Sequence, residues 1–90
     1  MRKTKEEPGE NQRKYEEKYR KQGKNIAHYR KQARMSQLQL AEAVDISRTH
    51  MSNIEASGVT VAVSLELLYK FASVLGVNVK TLLESPNDLE

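Results

Sequence analysis

The sequence predicts an all-α chain, a compact five-helix bundle preceded by a charged N-terminal extension with the capacity to be partly helical. Two observations lead there. Nearly all aliphatic residues lie after Gly23, where they fall on single faces of short amphipathic segments. The same region is punctuated by helix starts at Ser36, Ser47, Ser64 and Asn78, and by stops at Ser57-Gly58 and Gly76.

The extension comes first. Met1 to Glu10 is polar, charged and interrupted by Pro8-Gly9, a composition that predicts disorder. From Asn11 to Gln22, Glu16/Arg20 and Glu17/Lys21 form favourable i,i+4 pairs, and Tyr15 and Tyr19 share a face. A helix this short is marginal alone, so it is expected to form when docked and to fray otherwise. The organisation read from these signals is an extension over residues 1–23, a folded domain over 24–84 and a short tail over 85–90.

Within the domain, helix one is expected from Asn25 to about Arg34, burying Ile26, Tyr29 and Ala33. Ser36 with Gln39 has the spacing of a reciprocal cap for a second helix from Gln37 to Val44. Ser47 caps a third that runs to about Ala56. The run VTVAV at 59–63 has strand propensity, although a connector packed against the fourth helix is the simpler expectation. The fourth helix, Leu65 to Leu75, places Leu65, Leu68, Phe71, Ala72 and Leu75 on one side, and a fifth ends at Leu83.

Ninety residues with 38% apolar content allow one modest core. There is no cysteine, hence no disulfide and no thiolate metal site. No apolar run is long enough to span a bilayer and no secretory leader is apparent, which makes the cytoplasm the default expectation and excludes a membrane partner. The net charge of +3 is unevenly placed. Up to Lys24 there are nine Lys/Arg against five Glu, whereas from Asn25 onward six Lys/Arg face seven acids. The basic excess belongs to the extension.

Chemistry concentrates between Gln37 and Glu55, in QLQLAEAVDISRTHMSNIE. Ala41 is the small residue at which two helices must approach, and Leu40, Val44, Ile46, Met51 and Ile54 would seal one on the other. Asp45 sits at the corner. Two helices joined in this way present the second on a convex surface that fits a DNA major groove. With Met51 and Ile54 turned inward, Arg48, Thr49 and Ser52 face the groove, with His50 and Asn53 at the side. Arg48 is suited to guanine O6/N7 and Asn53 to adenine N6/N7.

The stretches IAHYRKQARMSQLQLA, VDISRTHMSNIE and SLELLYKFASVLGVNVKTLLE together resemble the lambda-repressor-like, Cro/xenobiotic-response-element type of helix-turn-helix domain. The resemblance covers Ile26 to Glu84. It implies a five-helix bundle that binds double-stranded operator DNA as a homodimer. It also implies that Gln37 reaches a phosphate and supports the base-reading side chains, and that Arg48, Thr49, Ser52 and Asn53 occupy outward positions of the recognition helix at 47–56. Ser47 and His50, at the start of that helix, complete the candidate set. Arg30 and Glu55 match a pair that ties helix one to the end of helix three in relatives.

Two departures from the family pattern stand out. Asp45 replaces the usual corner glycine, at small expected cost because Asp tolerates the left-handed region. The connector from Ala56 to Val63 has neither the basic residue that grips phosphate in relatives nor their Pro. Arg13, Lys14, Lys18, Arg20, Lys21 and Lys24 of the extension are the candidate substitutes.

No catalytic residue is expected, since there is no cysteine nucleophile, no Gly-rich phosphate loop and no histidine paired with a placed acid. Neither His28 nor His50 has a second ligand at metal spacing, so no metal and no cofactor are expected. The expected function is a small transcriptional regulator, a repressor, reading half-sites roughly 34 Å apart. Its control would come from its own concentration, a regulatory protein partner or the operator layout. The alternative is a protein-interaction or antitoxin-type module that uses the bundle as scaffold. For the dimer contact, the candidates are the VTVAV run with Val77, Val79 and Leu83.

Overall fold

A computed structural model describes residues 8–56, 58 and 60–84 of the chain, with side chains from residue 15 onward. The described residues form five helices and no strand: α1 (Pro8–Gln32), α2 (Gln37–Val44), α3 (Arg48–Glu55), α4 (Leu65–Leu75) and α5 (Val79–Leu83). The expected Ser57 stop, Val59 of the apolar run and the expected break at Ser85-Pro86 lie outside the described residues.

The largest departure from expectation is α1. Helix one does not start at Asn25, and residues 8–10 are not irregular. A single 25-residue helix begins at Pro8 and runs through the expected boundary. Proline at the first helical position has no amide donor to lose and a φ already set for the helix, so Pro8 opens the element rather than breaking it. Met1 to Glu7 lie outside the described residues.

Gly23 explains how the extension and the bundle become one element. A Cβ built there would stand 2.1 Å from the backbone oxygen of Ile54, so the end of α3 lies directly on the α1 backbone. A glycine inside a helix costs about 1 kcal/mol against alanine. Here it permits a close approach that no other residue allows.

α1 ends at Gln32 rather than Arg34, by a left-handed turn. Arg34 takes φ 60°, Met35 N–H donates to the Arg30 carbonyl at 3.1 Å and Arg34 N–H to Lys31 at 3.0 Å. Ala33 falls past the helix and is exposed, contrary to expectation. The same closing geometry recurs after α2, where Asp45 adopts φ 64° and Ile46 N–H reaches the Ala41 carbonyl at 2.9 Å. Asp45 therefore does occupy the left-handed corner. α4 closes on Gly76 at φ 73°.

The serine caps form as expected. Ser36 Oγ accepts from Gln39 N–H at 3.0 Å while Gln39 Oε1 accepts from Ser36 N–H at 2.8 Å. Ser47 and Ser64 accept from the amides of His50 and Leu67. Asn78 occupies the cap position of α5 but makes no side-chain cap bond.

Ile26, Leu40, Ala41, Val44, Met51, Ile54, Leu67, Leu68, Phe71, Ala72 and Leu82 make the core, with Tyr29, Ile46, Val61, Val63, Leu75, Val77 and Val79 packed at its margin. Residues 60–63 are thus a half-buried connector rather than a strand. On α4 the buried stripe is centred between Leu68 and Phe71 with Leu67 on one flank. That leaves Leu65, expected inside, 60% exposed on the opposite flank at the helix start.

Asn25 closes the bundle. Its side chain is 1% exposed, and Nδ2 donates to the carbonyls of Leu82 at 2.9 Å and Glu84 at 2.7 Å. These are orphan carbonyls at the end of α5, satisfied from the opposite end of the fold.

Two outcomes are expected in urea denaturation. Gly23→Ala gains helix propensity yet should lose about 1–3 kcal/mol through overpacking against Ile54; equal or higher stability would contradict the close approach. Asn25→Ala should cost about 1–3 kcal/mol by leaving buried carbonyls unpaired, whereas a surface asparagine would register almost nothing.

Candidate nucleic-acid interface

α2 and α3 pack across the corner through Leu40, Ala41, Val44, Met51 and Ile54, all buried. Ala41 and Met51 have no exposed surface, which is what the close approach of the two helices demands. With Met51 and Ile54 fixed inward, α3 turns its remaining side chains outward. Arg48, Thr49, Ser52 and Asn53 are all exposed and together line one shallow surface depression. His50 is exposed, with its backbone amide held by Ser47 Oγ at 2.9 Å. Ser47 is thereby engaged in the cap, its hydroxyl also facing solvent at the start of α3.

The position of α3 is locked by Glu55. Oε2 accepts from Arg30 Nε at 2.7 Å, and Oε1 accepts from Arg30 Nη2 at 3.0 Å and from Gln37 Nε2 at 2.9 Å. Arg30 Nη1 donates onward to the Met35 carbonyl at 2.7 Å. The Arg30 and Glu55 side chains are only 11% and 5% exposed. The expected Arg30–Glu55 pair therefore exists, in the bidentate geometry that makes such pairs strong. Gln37 is drawn into it. Its side-chain amide turns toward the end of α3 and ties the first residue of α2 to the last of α3.

Besides Gly23 against Ile54, the extension reaches this region through Arg20. Arg20 Nη1 donates to Thr60 Oγ1 at 3.1 Å, joining α1 to the connector after α3. Lys18 and Lys24 are exposed, Arg20 is half-buried, and the side chains of Arg13 and Lys14 lie outside the description. Sequence reasoning missed this bond, the carbonyl partners of Asn25 and the role of Gly23. The glycine inside a helix-compatible stretch was a usable signal for the last.

A helix-turn-helix family model of the lambda-repressor-like, Cro type matches residues 26–82, and the chain belongs to that family of DNA-binding domains. The crystal structure of the hypothetical transcription factor NHTF from Neisseria is similar to the whole fold: TM-score 0.72, 28% identity and 82% of each chain covered. That share exceeds what residues 26–82 make up, so the likeness continues into the flanking chain. No curated protein matches the sequence. Among the described residues no helix is long and apolar enough to cross a membrane.

Removing one member of the locked cluster should be costly. Glu55→Ala strands the Arg30 guanidinium and the Gln37 amide, with an expected loss of about 3–5 kcal/mol in chemical denaturation. The paired change Arg30→Met with Glu55→Leu should recover most of it. A single substitution costing no more than an exposed ion pair, about 0–1 kcal/mol, would show the cluster to be ornamental.

Proposed function

We propose that this chain is a sequence-specific transcriptional regulator, a repressor, that inserts α3 into the major groove of an operator as a homodimer. Residues 24–84 are the DNA-binding unit in this proposal, with 1–23 and 85–90 as flanks. The observation that carries it is the exposed cluster of Arg48, Thr49, Ser52 and Asn53 on the one face of α3 that the core leaves open. Family membership and the Neisseria relative support it.

The chemistry assigns the roles. Arg48 offers a bidentate fork to guanine O6/N7, and Asn53 a donor and acceptor to adenine N6/N7. Thr49 is placed for a thymine methyl or a phosphate, and Ser52 for either base edge or backbone. Ser47 and His50, at the start of α3, are placed for the sugar–phosphate edge, whereas Gln37, its amide held by Glu55, has only its second Nε2–H to offer a phosphate. Repression needs nothing beyond occupancy, since a protein bound across an operator excludes other proteins from it. Two copies would read half-sites roughly 34 Å apart. A regulatory protein partner would act by competing for the dimer or for the groove face.

Selection of random duplex DNA on the protein should yield a symmetric motif. Arg48→Ala and Asn53→Ala should each cost about 1–3 kcal/mol on the selected site, relax preference at one position and leave the melting transition unchanged. Failure to enrich any motif, or equal binding by both variants, would instead favour the protein-interaction module.

A further inference from the structure

We propose that an α1 stripe of Lys24, His28 and Lys31 grips the DNA backbone beside the recognition helix, in place of the clamp that the 56–63 connector lacks. The inference rests on the DNA-binding proposal and adds a second contact surface to it.

The three residues are exposed and spaced i, i+4 and i+7, hence on one face of α1. With Ala27 and Gln32 they border a shallow depression whose other wall is Glu55, the last residue of α3. On α3, Glu55 lies about 60° around the helix from Ser52 at 3.6 residues per turn. The stripe and the outward face of α3 are therefore neighbours, separated by a single side chain. That side chain does not repel phosphate strongly, because its carboxylate is 5% exposed and accepts three hydrogen bonds from Arg30 and Gln37.

Placement is rigid. Gly23 seats α1 on the backbone of Ile54 immediately before Lys24. One turn earlier, Arg20 is bonded to Thr60, which fastens the same face of α1 to the connector. Arg20 is thus an anchor for the stripe. Lys24 and Lys31 stand about 10 Å apart along the axis at 1.5 Å per residue. That separation lets the two ammonium groups reach two different phosphates. The stripe stops at its N-terminal end, where Glu16 and Glu17 reverse the charge. Because the cations stand on a formed helix, binding pays little ordering entropy beyond that of the lysine side chains.

The experiment uses the full chain and a duplex carrying its selected motif, with affinity measured by fluorescence anisotropy across a salt series. Lys24→Ala with Lys31→Ala should lower the slope of log K against log salt by about 2, at about 0.9 per lost phosphate contact. Selected and unrelated duplexes should weaken by the same factor. Lys70→Ala with Lys80→Ala removes equal charge from exposed positions on α4 and α5, outside the stripe and the extension, and should leave the slope in place. An unchanged slope in the stripe variant, or the same fall in both double variants, overturns the stripe while the selected motif still stands. Failure of the unaltered protein to select any motif overturns the DNA-binding proposal and the stripe together.

Discussion

One carboxylate organises this fold. Glu55 closes α3, accepts from Nε and Nη2 along one edge of the Arg30 guanidinium on α1, and accepts from the Gln37 amide at the start of α2. Three helices thus meet at a single charge that is almost out of water. Ion pairs of this kind are poor sources of net stability, because desolvation consumes most of the Coulomb gain. Their contribution is geometric. A bidentate bond tolerates little rotation, so the azimuth of α3, and with it the set of side chains turned outward, follows from where Arg30 stands.

Arg30 in turn stands where α1 puts it. That helix is held to α3 through Gly23 at one point and to α5 through Asn25 at another, with Ile26 buried between them. Four consecutive residues, 23–26, therefore include a backbone contact, a buried amide and a core anchor. The charged residues upstream continue the same helix, so they are carried by the bundle and move with it.

The parts of this architecture written in local chemistry could be read directly. Ser36 with Gln39, and Ser64 with Gly76, mark the bounds of α2 and α4 because capping partners lie within a few residues. The left-handed corner at Asp45 was legible through the family resemblance, which puts a glycine there, and Asp is among the residues that tolerate that conformation. The Arg30–Glu55 pair came through family resemblance. What stayed hidden depends on distant neighbours. Pro8-Gly9 reads as a breaker until the chain after it is seen to be helical. Gly23 reads as a boundary because nothing near it announces the Ile54 carbonyl, and Asn25 reads as a helix start because its acceptors are 57 and 59 residues away. On α4 the apolar spacing was right and the stripe centre was not, since Leu65 and Leu67 are equally apolar and only the packing on α2 chooses between them. The outward face of α3 was legible by subtraction, once Met51 and Ile54 were assigned to the core.

The bond from Asn25 to the carbonyls of Leu82 and Glu84 also sets the order in which the molecule can be finished. Synthesis proceeds from the N-terminus at about 5–20 residues per second. During most of that time α1 lacks the element that completes its buried face, for the Leu82 side chain and the Leu82 and Glu84 carbonyls that accept from Asn25 are among the last parts of the bundle to emerge. The corner of α2 and α3 has only local closures and can form early. Final closure waits on a pairing of high sequence separation, the slow kind of step in small-domain folding. α3 can thus pack on α2 before the fold that holds both is sealed.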